Sequence, residues 1–496
     1  MAATRSAQVG VGVRGAARAR GGVRRLPRST PEEQGVDPCA LSATLDALLR
    51  QPELHSLMVL RRGHVVAEGW AAPFGPERRH QLFSLSKSVT STAVGLAAAE
   101  GLLTVDDRVV DLLGVPEREG GHLGELRVRH LLTMTTGHDT DPSQAVFSAA
   151  DWVQAFLDQP LSHRPGTHFV YNTAATYVLS AIVQRLTGQR VLGWLRPRLL
   201  APLGITGATW ERSPQGIDTG GSGLSLRTED VAAFGQLYLQ DGVWQGHRLL
   251  PEGWVAEATR FQVPNGDPVT GGDWWQGYGY QFWRCRHGAY RGDGAFGQYC
   301  VVLPEQDAVV VMTSGLAEMQ APLDALWDHL LPGLHDEPLA PDPDGRAALQ
   351  RRLGELRLDP PTGRDTTVTG AHLAGRTVAF GANALGVTHA VLDAGEEEDR
   401  IAVRAGRRTW TLRAGHREPV AQSVRLAPRA PSAALVSGTW TGPDVYLLTV
   451  RYPETPFVWT VQLEVSGESV TVSPSVNVAF GATRLPVLTG TLAGGG

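Results

Sequence analysis

The chain has 496 residues, more than one ordinary domain needs, so a large core domain with at least one further unit is expected. With 42% hydrophobic and 19% charged residues it has a globular composition, and a net charge of −5 leaves no general nucleic-acid footprint. Cys39, Cys285 and Cys300 cannot make a disulfide framework and suit a reducing compartment, and no apolar run approaches a membrane span. The expectation is a cytoplasmic protein with neither a nucleic-acid nor a membrane partner.

Residues 1–26 are rich in Arg, Ala and Gly, lack an apolar stretch like that of a secretory signal, and read as a disordered basic arm. Folded sequence begins near Leu26. Ser56-Leu57-Met58-Val59-Leu60 and Val65-Val66-Ala67-Glu68-Gly69 flank Arg62-Gly63-His64 as a β-hairpin. A helix follows Ser84 and stops at Gly101. Arg129 to Thr136 is a short helix ending at Gly137, Pro165-Gly166-Thr167 is a turn, and a second long helix runs from about Ala174 to Leu186. From Gly277 to Met312 the pattern is a meander of antiparallel strands, closed by a helix over Pro322 to Leu331. One sheet joining the early hairpin to the late meander, flanked by helices, gives an α/β fold.

Residues 336–345 read as a Pro- and Asp-rich linker, with a short helix at about Arg346–Leu356 beyond it. The rest of the 346–496 unit alternates like strands of a small sandwich or barrel, a β-rich accessory domain. Val378-Ala379-Phe380-Gly381-Ala382 and Val478-Ala479-Phe480-Gly481-Ala482 are alike and suggest an internal repeat.

Lys87 is the only lysine among 45 Lys plus Arg residues. Arginine keeps its proton in proteins, whereas burial pushes a lysine toward the neutral base. Ser84 precedes Lys87 by three residues, so a helix starting there puts Ser84, Lys87 and Ser91 on one face. The hydroxyl then sits at a helix N-terminus, where backbone dipoles favour developing negative charge. Coding bias toward arginine is the bland alternative. Tyr171 follows a Pro-Gly turn and precedes a helix, a placement suited to a second proton carrier whose pKa a nearby ammonium would lower. The alternative is a core aromatic with one satisfied hydroxyl. Arg291 to Gln298 is rich in glycine and offers a strand edge whose backbone N–H groups can approach a ligand; a plain hairpin turn is the other reading. Trp274, Trp275, Tyr278 and Tyr280 either wall a substrate cleft or fill the core.

Taken in order, Phe83-Ser84-Leu85-Ser86-Lys87-Ser88, Pro165-Gly166 with Tyr171-Asn172-Thr173, and Gly292-Asp293-Gly294-Ala295 resemble the three motifs of the Ser-x-x-Lys hydrolases. That family includes class C β-lactamases, penicillin-binding DD-peptidases, family VIII esterases and 6-aminohexanoate-oligomer hydrolases. Leu131 to Gly137 also resembles the family's helix after the first motif, and the resemblance spans about residues 30–335. It implies an antiparallel sheet flanked by helices, with an all-helical subdomain, over residues 27–335. It also implies that Ser84 is an acyl-forming nucleophile, Lys87 takes its proton and Tyr171 is general base and then acid. Backbone N–H groups of Ser84 and Ala295 would form the oxyanion hole, with no metal or organic cofactor.

Two positions depart from the family pattern. Gly292 and Asp293 stand where Lys-Thr is usual, and Thr173 replaces the Asn of Tyr-x-Asn. Substrate-binding candidates are Asn172, Thr173, Asp293, Gly294, Trp275 and Tyr278. The departures favour an esterase or amidase acting on a small-molecule ester or amide over an antibiotic-resistance enzyme. A catalytically weak ligand-binding relative and a D-amino-acid amidase or peptidase are the alternatives.

Overall fold

The computed structural model describes residues 26–116, 121–425 and 431–493. Residues 1–25 of the expected basic arm lie outside that set, and Leu26, assigned to the same arm, is core, with 2% of its surface exposed. The first unit is built on a six-stranded antiparallel sheet. Its strands run, from edge to edge, His64–Trp70, Leu54–Arg61, Ala308–Ser314, Gln298–Leu303, Tyr290–Gly294 and Trp283–Arg284. The early hairpin therefore joins the late meander directly, Met58 opposite Val311 and Leu60 opposite Val309.

Both faces of this sheet are covered, which explains its nearly uninterrupted apolar strands. Side chains alternate across a strand, so Met58, Leu60, Val309 and Val311 enter one core while Leu57, Val59, Val310 and Met312 enter another. The first core holds the helices Ser86–Ala99, Thr173–Thr187 and Thr228–Leu239, together with short helices of the all-helical subdomain. On the other face lie Pro38–Leu49, capped by Asp37 with Pro38 at its first position, and the Gln320–Leu330 helical run.

The expected linker is not a free tether. His335 donates its backbone N–H to Gly35 O, Leu339 to Glu32 O, and Asp342 to Glu32 Oε1. Asp342 then caps a helix, Pro343–Gly354, that begins three residues before the accessory unit was expected to start. Its Leu349 and Leu353 pack in the same core as Leu41 and Leu57, so this helix belongs to the first unit. Segments rich in Pro and Asp read as linkers from composition, but Asp and Pro also start helices.

Ten strands from Thr377 to Leu492 form the second unit. The sheet curls until Gly415 at the end of Arg408–Gly415 pairs with Ser437 in Ser432–Trp440, closing a barrel. Val378 to Phe380 is strand, but Val478 to Ala482 lies in the loop between Ser469–Val476 and Leu488–Leu492, so the two similar pentapeptides are not a structural repeat. The barrel is fastened to the first unit by the ion pair between Arg451 Nη1 and Glu53 Oε2 at 2.6 Å and by Asn477 Nδ2 donating to Gly315 O at 3.0 Å. Among the described residues no helix is long and apolar enough to cross a membrane.

Candidate active site

Ser84 lies in a 3₁₀ turn, Phe83–Leu85, that continues into the Ser86–Ala99 helix. Phe83 holds φ at +48°, a conformation that L side chains adopt rarely, immediately before the serine. The turn is fixed from below: Ser86 Oγ donates to Phe83 O at 2.5 Å and accepts from Leu224 N at 3.2 Å. The following helix is buried through Ala97, which explains its small residues.

Lys87 has 1% of its surface exposed. Its Nζ lies 2.9 Å from Ser84 Oγ, 3.1 Å from Thr173 Oγ1 and 2.8 Å from Gly221 O. Burial pushes the amine down to about 7, opposed by Asp141 and Asp293. Tyr171 stands beside both groups, its ring centroid 4.8 Å from Lys87 Nζ and its hydroxyl directed at the Ser84 side chain. The expected lowering of the phenol by a neighbouring ammonium is not found. Burial raises it well above the ordinary tyrosine value and outweighs the hydrogen bonding to Ser84 and Trp283. Tyr278 and Trp283 hold the Tyr171 ring, at centroid distances of 6.2 and 5.1 Å.

The third side of the site is the Tyr290–Gly294 strand. It pairs along its length with Gln298–Leu303, but the two-residue strand Trp283–Arg284 covers only Arg291 and Tyr290 on the other edge. The backbone of residues 292–294 therefore has no strand partner on that edge, and it packs beside the turn that carries Ser84. Glycine is required at 294, where a Cβ would meet Leu82 O at 2.1 Å, and the fit is tight at Gly292, where one would lie 3.0 Å from Ser88 Oγ. Gly294, expected to touch substrate, is thus accounted for by packing against the chain just before Ser84.

Asp293 and Arg291, two apart, share a face of this strand. Arg291 is fully buried, donates from Nε to Asp293 Oδ2 at 2.7 Å and from Nη1 to Asp273 O at 2.8 Å, and stacks on Trp274 at 4.5 Å. Burial pushes the Asp293 carboxyl up, against the pull of Arg291 and Lys87.

The remaining candidates separate. Thr173 is in the site and touches Lys87 rather than standing free for substrate. Asn172 is fully buried and caps the Thr173–Thr187 helix, its Oδ1 accepting from Ala175 N at 3.0 Å, while its Nδ2 donates to Thr136 Oγ1 at 3.3 Å; its polar atoms are occupied by structure. Tyr278 and Tyr280 are core residues, whereas Trp275 is exposed and its ring lies on Gly266 and Gly271 in an outer loop. Sequence reading missed Gly221, whose contribution is a carbonyl, and Arg291 as an inward-pointing partner. It also missed three barrel residues beside the site. Val478 packs with Phe83 and Phe296, Phe457 lies 6.1 Å from Phe83, and Phe480 is 6.0 Å from Phe83 and 5.0 Å from Phe296.

The family model described as Beta-lactamase matches residues 49–332. The chain belongs to the beta-lactamase family. A 6-aminohexanoate-dimer hydrolase of Paenarthrobacter ureafaciens is 30% identical over 320 residues, which cover 59% of this chain and 81% of the relative. Penicillin-binding protein 4 of Amycolatopsis lactamdurans is 27% identical over 254 residues, 44% of this chain and 64% of that protein. Among solved structures, EstCE1, described as a hydrolase with promiscuous acyltransferase activity, superposes with a TM-score of 0.50 at 18% identity, covering 60% of this chain and 100% of its own, a likeness of fold. This member of the beta-lactamase family is accordingly a hydrolase by family and relatives, with a β-barrel outside the matched segment.

Proposed function

We propose that the protein is a serine hydrolase that cleaves an ester or amide through an acyl-enzyme on Ser84, esterase-like rather than an antibiotic-resistance enzyme. The observation that carries this reading is the 2.9 Å approach of a buried amine, lowered to about 7, to the Ser84 hydroxyl. Neutral Lys87 takes the Ser84 proton as Oγ bonds to the carbonyl carbon. The oxyanion is received by the backbone N–H groups of Ser84 and Ala295. Tyr171, held in its protonated form, gives its proton to the departing oxygen or nitrogen as the scissile bond breaks, and the ammonium of Lys87 restores it. Water then attacks the acyl carbon by the same route in reverse and frees Ser84.

Substrate class follows from charge. The strand position next to the oxyanion donors carries a carboxyl already paired with a buried guanidinium, which leaves no free cation there for a substrate carboxylate. Neutral acyl groups fit better than penicillins or peptides ending in D-alanine. Three cysteines without disulfides, two of them buried, support a cytoplasmic setting.

A fluorophosphonate probe and a panel of p-nitrophenyl esters, run beside nitrocefin and a D-amino-acid amide, test this. Labelling and ester turnover are expected in the wild type and lost in Ser84→Ala, with nitrocefin poorly cleaved. Labelling that persists in Ser84→Ala, or nitrocefin as the best substrate, refutes the reading.

A further inference from the structure

The barrel encloses a cavity of about 950 Å³, toward the upper end of the range of small-molecule sites. Strand alternation explains why it is apolar. In Val458–Ser466 the side chains of Trp459, Val461 and Leu463 point inward, while Thr460, Gln462 and Glu464 do not line the cavity. Leu412, Leu448 and Val472 continue the apolar wall from neighbouring strands. Ile401, Val403 and Val461 keep accessible surface although they face inward. A hollow of this size with an apolar wall is a poor place for water and a good one for a hydrocarbon chain.

One end is shut. The Val368–Leu373 helix lies across it, with Gly370 against the Trp440 ring and Leu373, fully buried, forming part of the cavity wall. Toward the opposite end the charged residues of the cavity lining are all arginines. Arg407 and Arg408, at the turn between Glu398–Ala405 and Arg408–Gly415, and Arg425, just beyond Val420–Val424, line the same cavity and are exposed. No Asp or Glu is among the residues that line it. Strand register brings the three arginines to one rim. Val424 lies opposite Ser432, and the parallel pairing of Gly415 with Ser437 puts Arg408 at the Ser432 end as well. Leu435 lies opposite Arg451, so this is also the end that carries the turn before Phe457.

We infer that the barrel binds a single-chain amphiphile with an anionic head, its hydrocarbon chain in the cavity and its carboxylate at the Arg407, Arg408 and Arg425 rim. The apolar wall supplies affinity that rises with chain length, and guanidinium forks suit a carboxylate. This site is separate from Ser84 and does not depend on the proposed hydrolysis.

The test uses the full chain and 11-(dansylamino)undecanoate as fluorescent reporter, displaced by dodecanoate, hexadecanoate or hexadecan-1-ol. Saturable reporter binding is expected. Dodecanoate should displace at least tenfold more weakly than hexadecanoate, since burying each methylene adds to affinity. The double variant Arg407→Glu, Arg425→Glu should weaken hexadecanoate about tenfold or more and leave the alcohol unchanged. Filling the cavity with Val403→Trp and Val461→Trp should abolish saturable reporter binding while the near-ultraviolet circular dichroism and cooperative thermal unfolding stay as in the wild type, which reports that the chain is folded. The inference is overturned if the reporter does not saturate, if chain length has no effect, or if the arginine variants bind as well as the wild type. Equal binding of wild-type and cavity-filled protein to vesicles of anionic phospholipid, with no binding of free hexadecanoate, would also overturn it and indicate a surface attraction instead.

Discussion

Lys87 Nζ lies 2.8 Å from the carbonyl oxygen of Gly221, a partner that can only accept. One N–H of the amine is therefore directed at that carbonyl. A neutral amine has one further N–H, suited to Thr173 Oγ1 at 3.1 Å, and one lone pair, which is left for the hydrogen of Ser84 Oγ at 2.9 Å. An ammonium would donate to all three oxygens; burial, which lowers the amine to about 7, favours the neutral form, and loss of the proton facing Ser84 Oγ leaves the lone pair where the proposed general base needs it.

Replacing Lys87 by Arg keeps the positive charge and removes the basicity. Acylation by a fluorophosphonate should fall by about three orders of magnitude or more in both Lys87→Arg and Lys87→Ala. Stopped-flow labelling rates check this, and an arginine variant that retains most of the wild-type rate would remove lysine from the proton transfer.

The pH dependence has a definite sign. If neutral Lys87 is the base, as proposed, burial that lowers the amine to about 7 makes kcat/KM rise with pH through an ionisation near that value. Below it the rate should drop about tenfold per pH unit. Ester hydrolysis followed from pH 5 to 9 measures the limb. A flat profile across that range, with the protein folded throughout, would contradict it.

Tyr171 is pushed the other way, so its phenol stays protonated well above neutrality. No loss of activity from phenol ionisation is expected between pH 7 and 10, and Tyr171→Phe should cut kcat by about 10² to 10⁴. A Tyr171→Phe enzyme with a normal rate would take the phenol out of the reaction.

The Arg291–Asp293 pair is buried and has one cationic side. Arg291→Met alone leaves an unpaired carboxyl in the core and should cost about 3–5 kcal/mol, while adding Asp293→Ala should recover a large part of that loss. Thermal and urea unfolding of the two variants distinguish them. Equal stability of the single and double variants would mean that the pair is not coupled.

Phe480 is 81% exposed and lies 5.0 Å from Phe296 and 6.0 Å from Phe83. Phe480→Ala should raise KM for bulky or long p-nitrophenyl esters several-fold and leave the acetate ester nearly unchanged, since the ring is near the nucleophile's turn but touches none of the proton carriers. An equal effect on both substrates would indicate general damage instead.

The parts of this site that could be read in the sequence are those set by short spacing. Ser84 and Lys87 face the same way because helical geometry fixes i and i+3, and the glycines of 292–294 mark close backbone approach. The apolar strands near residues 60 and 310 pointed to the central sheet, and they pair directly in one antiparallel set. What escaped depends on contacts distant in sequence. Gly221 reaches Lys87 with a backbone atom, which any residue type carries, and Phe457, Val478 and Phe480 arrive from a separate unit. The acidity of Tyr171 was misjudged because a neighbouring amine was assumed to be charged, whereas burial disfavours the ionised form of both groups. The helix Pro343–Gly354 was assigned to the wrong unit because composition does not show what a helix packs against.

On the proposed reading, the proton carriers and the residues at their flank belong to different pieces of this molecule. The sheet and the buried helix anchor the proton carriers rigidly, while loops of a separate barrel stand at the nucleophile's flank. If Ser84 is acylated as proposed, exchanges in those loops should alter which acyl groups gain entry while leaving the Ser84–Lys87 contact in place, so that one reaction could be redirected toward new compounds by editing its outer wall.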